Sequence, residues 1–238
     1  MMTITDGEFC AERVEGCSMV QIGAYMYDPP RFGEDPYFLP PDREKCIDFL
    51  EKEIEVIKRR DKNVFTCLNV AVPKLKWGVK EAKCFHKAGG DFVELNVHGE
   101  YEPYCKKGKL KRMVLPENRE DLYEWVSKFS GLEVPTIIKF RKGTVEDYGE
   151  ILEKLNEIDP FGVHFNVREE EKSKPDFQFV KNIEDACPFL MVSGYIRTAE
   201  DAQKLFKIGA DMVGVAAPSR DDPDFLNKIA NEYRKIRK

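Results

Sequence analysis

A lysine stands inside an otherwise apolar run at residues 135–140, PTIIKF. Moving an ammonium from water into an apolar interior is costly unless a partner receives it. Lys139 is therefore expected to face an anion or an electron-rich ligand, unless its stem carries the charge out to the rim. Other short apolar runs end in polar residues of the same kind. Asn69 follows VFTCL, Asn96 and His98 follow FVEL, and Arg141 follows IIKF; His164, Asn166 and Arg168 lie in and after FGVHF, and Ser193-Gly194 follows PFLMV. An ammonium, an imidazole, side-chain amides and a glycine turn are the groups that hold an anion or a planar ring. For His164 a satisfied core imidazole is the other reading. Cys105 is a candidate nucleophile or proton donor. The adjoining basic stretch 106–112, KKGKLKR, either guides a phosphorylated or nucleic-acid substrate or is a solvated loop.

The element that best explains this pattern is the unit at residues 188–217, PFLMVSGYIRTAEDAQKLFKIGADMVGVAA. It reads as strand, glycine turn, amphipathic helix, strand. Thr198 is a plausible N-cap with Asp201 three residues on. Ala202, Leu205, Phe206 and Ile208 make a helical stripe, and Gly209 is the expected C′ residue. Two buried strands joined by a helix must be parallel, and a small turn leading into a helix suits a phosphate. The same alternation recurs along the chain. Strands are expected at 1–4, 18–24, 64–70, 92–97, 135–140, 161–165, 189–192 and 212–215. Helices are expected at 42–60, 75–88, 118–129, 145–158, 176–185 and 223–237, with a short one near Thr5 or Asp6. Eight strands alternating with helices predict an α/β fold, a (β/α)8 TIM barrel in a single domain spanning residues 1–238, with a doubly wound sheet as the alternative. A TIM barrel builds its site at the carboxyl ends of its strands, where the polar residues above fall.

Composition narrows the function. The chain has 238 residues and a net charge of −5, so it lacks an overall basic footprint for nucleic acid. Seven cysteines, odd in number and never in a CxxC pair, point to a reduced, cytoplasmic chain and to neither a disulfide framework nor a metal site. No apolar run approaches the roughly 20 residues of a membrane helix. A homo-oligomer is compatible with this composition.

These strand ends resemble those of the flavin-dependent tRNA-dihydrouridine synthases, in a divergent, archaeal-type form, and more distantly those of the dihydroorotate dehydrogenases. ELNV at 94–97 resembles the family's strand ending in asparagine. KFR at 139–141 resembles its K-x-R, and GVHFNVR at 162–168 its V-H-G-R. VSGYIRTAEDA at 192–202 resembles its N-G-D-I-x-S-x-E-D-A, and GADMVGV at 209–215 its G-A-D-G-V-M-I. The resemblance implies an FMN-dependent oxidoreductase acting on a C=C bond of a pyrimidine-like, small-molecule or nucleotide substrate, with NADPH as electron donor. Lys139, Asn96 and Cys105 would be catalytic. Lys139, His164, Ser193, Gly194 and Ala216 would hold the cofactor, the last three at its phosphate. The family's catalytic cysteine falls at Gly99, six residues before Cys105; its asparagine becomes Ser193, its strand-three glutamine Cys67, and its glycine-arginine pair Ala216-Ala217. The family's C-terminal helical domain for tRNA has no counterpart here, so tRNA binding is not expected. Two other readings stand beside this one. One is a flavin-independent lyase or synthase using Lys139 on a phosphorylated metabolite. The other is a binding barrel that has lost its catalytic cysteine.

Overall fold

The computed structural model describes residues 5–34, 38–99 and 112–237. In chain order the elements are α1 (Gly7–Ala11), β1 (Met19–Tyr25), α2 (Arg43–Arg60), β2 (Phe65–Val70), α3 (Leu75–Lys87), β3 (Phe92–Asn96), α4 (Arg119–Ser130), β4 (Thr136–Arg141), α5 (Gly149–Ile158), β5 (Gly162–Asn166), β6 (Arg168–Glu169), β7 (Lys174–Pro175), α6 (Phe177–Ile183), β8 (Leu190–Ser193), α7 (Ala199–Lys207), β9 (Met212–Gly214), α8 (Ala217–Asp221) and α9 (Phe225–Ile236). Seven strands form one sheet in the order β1-β2-β3-β4-β5-β8-β9. Every neighbouring pair is parallel. This is an α/β, TIM-barrel-like fold in a single domain. The strand expected at 1–4 lies outside the described residues. The first described residue, Thr5, bridges β1 in the antiparallel sense, with its N–H 3.1 Å from Gly23 O.

The two ends of the chain meet in the helical shell. Arg13, buried after α1, donates from Nε to the carbonyl of Ser219 in α8 at 2.6 Å and from Nη1 to Phe9 O at 2.9 Å. Its guanidinium also lies 3.6 Å from the centroid of the Phe9 ring. One arginine thus ties residues 206 positions apart.

Both faces of the sheet are covered, as parallel strands require. Val93, Leu95, Ile138, Phe140, Val163, Phe165, Leu190 and Val192 are buried and belong to the single large apolar cluster that includes residues of α2 to α7. Phe140 stacks on Phe165 with centroids 5.0 Å apart, and Tyr148 meets Phe165 edge-on at 5.1 Å. Residues of the opposite parity, from Gln21 and Asn69 to His164 and Ser193, form the inner polar set. The amino ends of the strands carry a chain of rings instead. Phe65 meets Phe92 at 5.5 Å, Phe92 meets Phe161 at 5.0 Å, and Phe161 meets Phe189 at 5.0 Å. One end of the sheet is therefore aromatic and the other polar.

The unit around α7 forms as its residues dictate. Thr198 Oγ1 accepts from Asp201 N, the Asp201 carboxylate accepts from Thr198 N, and Gly209 follows the helix at φ 103°. Two segments differ from expectation. Helix α5 starts at Gly149 and not at 145, because Asp147 Oδ1 takes the Gly149 N–H at 2.8 Å and Thr144 binds back to Arg141 O at 3.0 Å, which makes the segment a turn. Residues 168–175, where no element was expected, contain the antiparallel β6–β7 hairpin.

Helix α3 carries one side chain at odds with its surroundings. Glu81 is fully buried, and neither carboxyl oxygen has a partner among the described residues. Burial, and then the Cys84 thiol, raise its pKa well above the ordinary 4.5. The folded chain thus keeps a proton that the unfolded chain releases above about pH 4.3. By linkage this group's contribution to stability is complete below that pH and is lost as pH rises. Glu81→Met should raise unfolding free energy at pH 8 by about 1–3 kcal/mol and flatten its decline between pH 5 and pH 8. Urea melts of both proteins check this; a less stable variant would show that the carboxyl is satisfied.

Candidate functional site

The site is built on a carboxylate that the sequence pattern did not single out. Glu94, third residue of β3, is fully buried. Its Oε1 accepts from Lys139 Nζ on β4 at 2.7 Å and from Asn69 Nδ2 on β2 at 2.5 Å. Its Oε2 meets His164 Nδ1 on β5. The second ring nitrogen, Nε2, lies 2.7 Å from Ser193 Oγ at the end of β8. Gln21 on β1 adds an amide whose Oε1 is 3.4 Å from both Lys139 Nζ and Asn69 Nδ2. Five strands thus contribute to one connected network, with Gln21 joining it from a sixth.

Strand register explains how these residues meet. Asn69 lies opposite Glu94, and Lys139 opposite His164. Between β3 and β4, however, Lys139 pairs with Asn96, so its side chain meets the glutamate two residues further back. Ser193 likewise pairs with Asn166 and reaches back to His164. This two-residue offset is the stagger that curls a sheet toward a barrel.

The charges are arranged coherently. Burial alone would raise the carboxyl of Glu94, but Lys139 and His164 outweigh it and hold Glu94 far below the ordinary carboxylate range. Burial lowers His164, Glu94 opposes that, and Lys139 reinforces it, leaving the imidazole below its ordinary 6.5. With its pKa lowered, His164 is neutral near pH 7, and because Glu94 is a pure acceptor the proton on the ring sits at Nδ1. Nε2 carries the lone pair, and Ser193 donates its hydroxyl proton to it. His98 is also neutral: burial, with help from Lys139, pulls it down to about 3. Cys67, where the resembled family has glutamine, is buried with its thiol pushed up by burial and by Glu94, and Gln21 Nε2 points at its sulfur at 3.8 Å. Asn69 Oδ1 is buried without a partner among the described residues.

Lys139, His164 and Ser193 come together. The anion that Lys139 was expected to face is internal, the carboxylate of Glu94. Asn96 sits beside Lys139 in register but turns its Oδ1 to the N–H of Gly99 at 3.2 Å, capping the strand end. Gly194 follows Ser193 at φ 111°; a Cβ there would lie 2.6 Å from Asn166 Oδ1 and 2.8 Å from Arg168 N. Ala216 is the exposed residue preceding α8. Cys105 and the basic stretch up to residue 111 lie outside the described residues. The six described cysteines are free thiols. No group of three or more metal-ligating side chains occurs among the described residues, and no described helix is long and apolar enough to cross a membrane. Glu94 and Gln21 were missed as site residues, while Asn69 was picked out only as a polar strand ending. The available signal was an acid inside the apolar run FVELNV, the same signal that singled out Lys139.

Lys139→Met would leave the Glu94 carboxylate buried without its cation, a loss expected to cost about 3–5 kcal/mol of stability. Adding Glu94→Gln to that variant removes the stranded charge and should recover most of the loss. A double-mutant cycle by chemical denaturation checks this; additive effects would show that the two groups do not interact.

Comparison with known proteins places this chain among barrel proteins. A family model described as "Putative N-acetylmannosamine-6-phosphate epimerase" matches residues 162–231. The HisF subunit of imidazole glycerol phosphate synthase from Pasteurella multocida is 43% identical over 42 residues, 18% of this chain and 16% of that protein. A second HisF-type protein, from Campylobacter jejuni, is 32% identical over 59 residues, 24% of each. The chain therefore spans at most about a quarter of these two relatives. An uncharacterised protein of Methanocaldococcus jannaschii is similar over far more, 24% identical across 91% of this chain and 85% of its own. Among solved structures, DHODH from Eimeria tenella in complex with ferulenol superposes with a TM-score of 0.70 at 16% identity, covering 96% of this chain and 76% of that one. Orotidine 5'-phosphate decarboxylase from Pyrococcus horikoshii gives 0.56 at 14% identity over 96% and 92%. At such identities the likeness is one of fold: the chain is a TIM-barrel protein.

Proposed function

We propose that this chain is a flavin-independent barrel enzyme, of lyase or synthase type, acting on a small phosphorylated metabolite. What carries the reading is the extent of the epimerase-model match, residues 162–231. That segment runs from β5 into α9 and contains the turns after β8 and β9. In barrels of this type, the loops after the last two strands commonly hold a phosphate. The short matches to HisF, a subunit of imidazole glycerol phosphate synthase, favour the same class of ligand. In this reading the turn at 214–217, after the last strand of the sheet, receives the phosphate. Lys139, whose side chain is 16% exposed while Glu94 is wholly buried, meets the reacting end of the metabolite as a fixed positive charge. Such a charge favours negative charge developing on a substrate oxygen.

The flavin reading finds less support in the geometry. Both ring nitrogens of His164 are engaged with neighbouring side chains. The space beside Gly194, on the side a Cβ would take, is filled by Asn166 and Arg168. These residues do not fit the FMN contacts that the resemblance to the dihydrouridine synthases implies, so no step is routed through a flavin or NADPH. The alternative of a binding barrel has no particular contact in its favour.

Isothermal titration with inorganic phosphate, followed by simple sugar phosphates, tests the proposal. Wild-type protein should bind, and Ala216→Glu, which adds a carboxylate at an exposed position of the receiving turn, should weaken binding at least about tenfold. Folded wild-type protein that ignores millimolar phosphate would overturn the reading. Purified protein should also be colourless and release added FMN on gel filtration; retained flavin would restore the oxidoreductase alternative.

A further inference from the structure

We propose that Ser193 is an activated nucleophile, with His164 as its base and Glu94 as the group that orients the base, and that the site cleaves a carboxylic ester. The inference rests on a connected geometry and does not depend on a bound phosphate. Ser193 Oγ lies 2.7 Å from His164 Nε2, and His164 Nδ1 meets Glu94 Oε2. A hydroxyl on an imidazole whose far nitrogen is held by a buried carboxylate is the arrangement that activates serine on unrelated folds. The roles cannot be permuted, because Glu94 only accepts, which fixes the proton on Nδ1 and leaves Nε2 as the base.

Three further features fit a nucleophile better than a structural serine. First, His164 is 3% exposed and Glu94 fully buried, whereas Ser193 is half-buried. The hydroxyl is thus the end of this chain of groups that reaches a ligand. Second, Ser193 ends a strand and is followed by two residues with positive φ, Gly194 at 111° and Tyr195 at 54°. A sharp turn directly after a strand is how a nucleophile is presented at a sheet edge. The N–H of Gly194 has no acceptor among the described residues, and the residue after the nucleophile is a common oxyanion donor. Third, the neighbour across the ladder is Gly214, where a Cβ would stand 3.4 Å from Ser193 Cβ. A glycine there leaves open the space beside Ser193 Cβ and Met191 Cε. The remaining oxygen of Glu94 is held by Lys139 and Asn69, so the carboxylate cannot rotate away from the imidazole.

The step balances with water as co-reactant. Ser193 Oγ bonds to the ester carbonyl carbon while its proton passes to His164 Nε2. The C–O bond to the alcohol breaks, and the alcohol departs with that proton. Water, deprotonated by Nε2, then releases the acid and restores the serine.

A fluorophosphonate probe reports the first half of this chemistry. The serine oxygen bonds to phosphorus, fluoride leaves, and the hydroxyl proton goes to the imidazole. Wild-type protein should gain the probe's mass on the peptide containing Ser193 and should hydrolyse p-nitrophenyl acetate. Ser193→Ala, a change too small to threaten folding, should abolish both. His164→Gln should slow labelling by about a hundredfold or more, with circular dichroism confirming that it is folded. Absence of labelling on folded wild-type protein, or equal labelling and hydrolysis in Ser193→Ala, would overturn the proposal.

Discussion

A single buried carboxylate sets the terms for the interior of this protein. An unpaired charge in such a place would cost more than most domains can tolerate. Glu94 is retained because four groups surround it: an ammonium, an imidazole, an amide and, at one remove, the amide of Gln21. Each comes from a different strand. The carboxylate therefore constrains the relative register of β1 to β5 more specifically than apolar packing can, because a one-residue slip would turn any of these side chains to the opposite face. Apolar burial supplies most of the stability, while the ionic cluster favours one alignment of the strands over its neighbours.

The two ends of the sheet are divided accordingly. Phe65, Phe92, Phe161 and Phe189 run ring to ring across the amino ends of β2, β3, β5 and β8. Apolar rings there need no hydrogen bonds. The polar residues are left to the carboxyl halves, where the turns at 193–197 and 214–217 bring backbone alongside. The polarity follows from parallel strands, since all seven present the same chemical end on the same side. Chemistry accumulates at one rim without any one segment encoding a site.

Much of this was legible in the sequence because local signals agreed with the tertiary outcome. Thr198, Asp201 and Gly209 mark α7 through interactions confined to their own helix ends, and these signals do not depend on the rest of the barrel. Lys139 was legible because a charge in an apolar run has few explanations. Glu94 carried the same signal and escaped notice because the asparagine two residues later offered a ready strand ending. Its importance depends on Lys139 and His164, which lie 45 and 70 residues away, and no local pattern states that distance. The β6–β7 hairpin was hidden for the opposite reason: REEEKSKP has the composition of a solvated loop, and only pairing of its ends makes it a ribbon. The partner of Ser193 was likewise illegible, since hydroxyl and imidazole are joined by the stagger of β5 against β8.

The network has two ends that reach toward a ligand, Lys139 and Ser193, and they share Glu94. That sharing has a consequence for chemistry. The more completely Lys139 neutralises the carboxylate, the less Glu94 supports positive charge on His164, and burial of the ring already disfavours that charge. An anionic group arriving beside Lys139 would draw the ammonium partly away from Oε1 and return electrostatic attraction to the imidazole. Nε2 would become a stronger base when, and only when, that position is filled. A carboxylate flanked by a cation on one oxygen and a base on the other thus links recognition at one strand end to reactivity at another. The link requires no rearrangement of the backbone, only a shift of the Lys139 ammonium, because the coupling runs through one side chain whose two oxygens compete for the same negative charge.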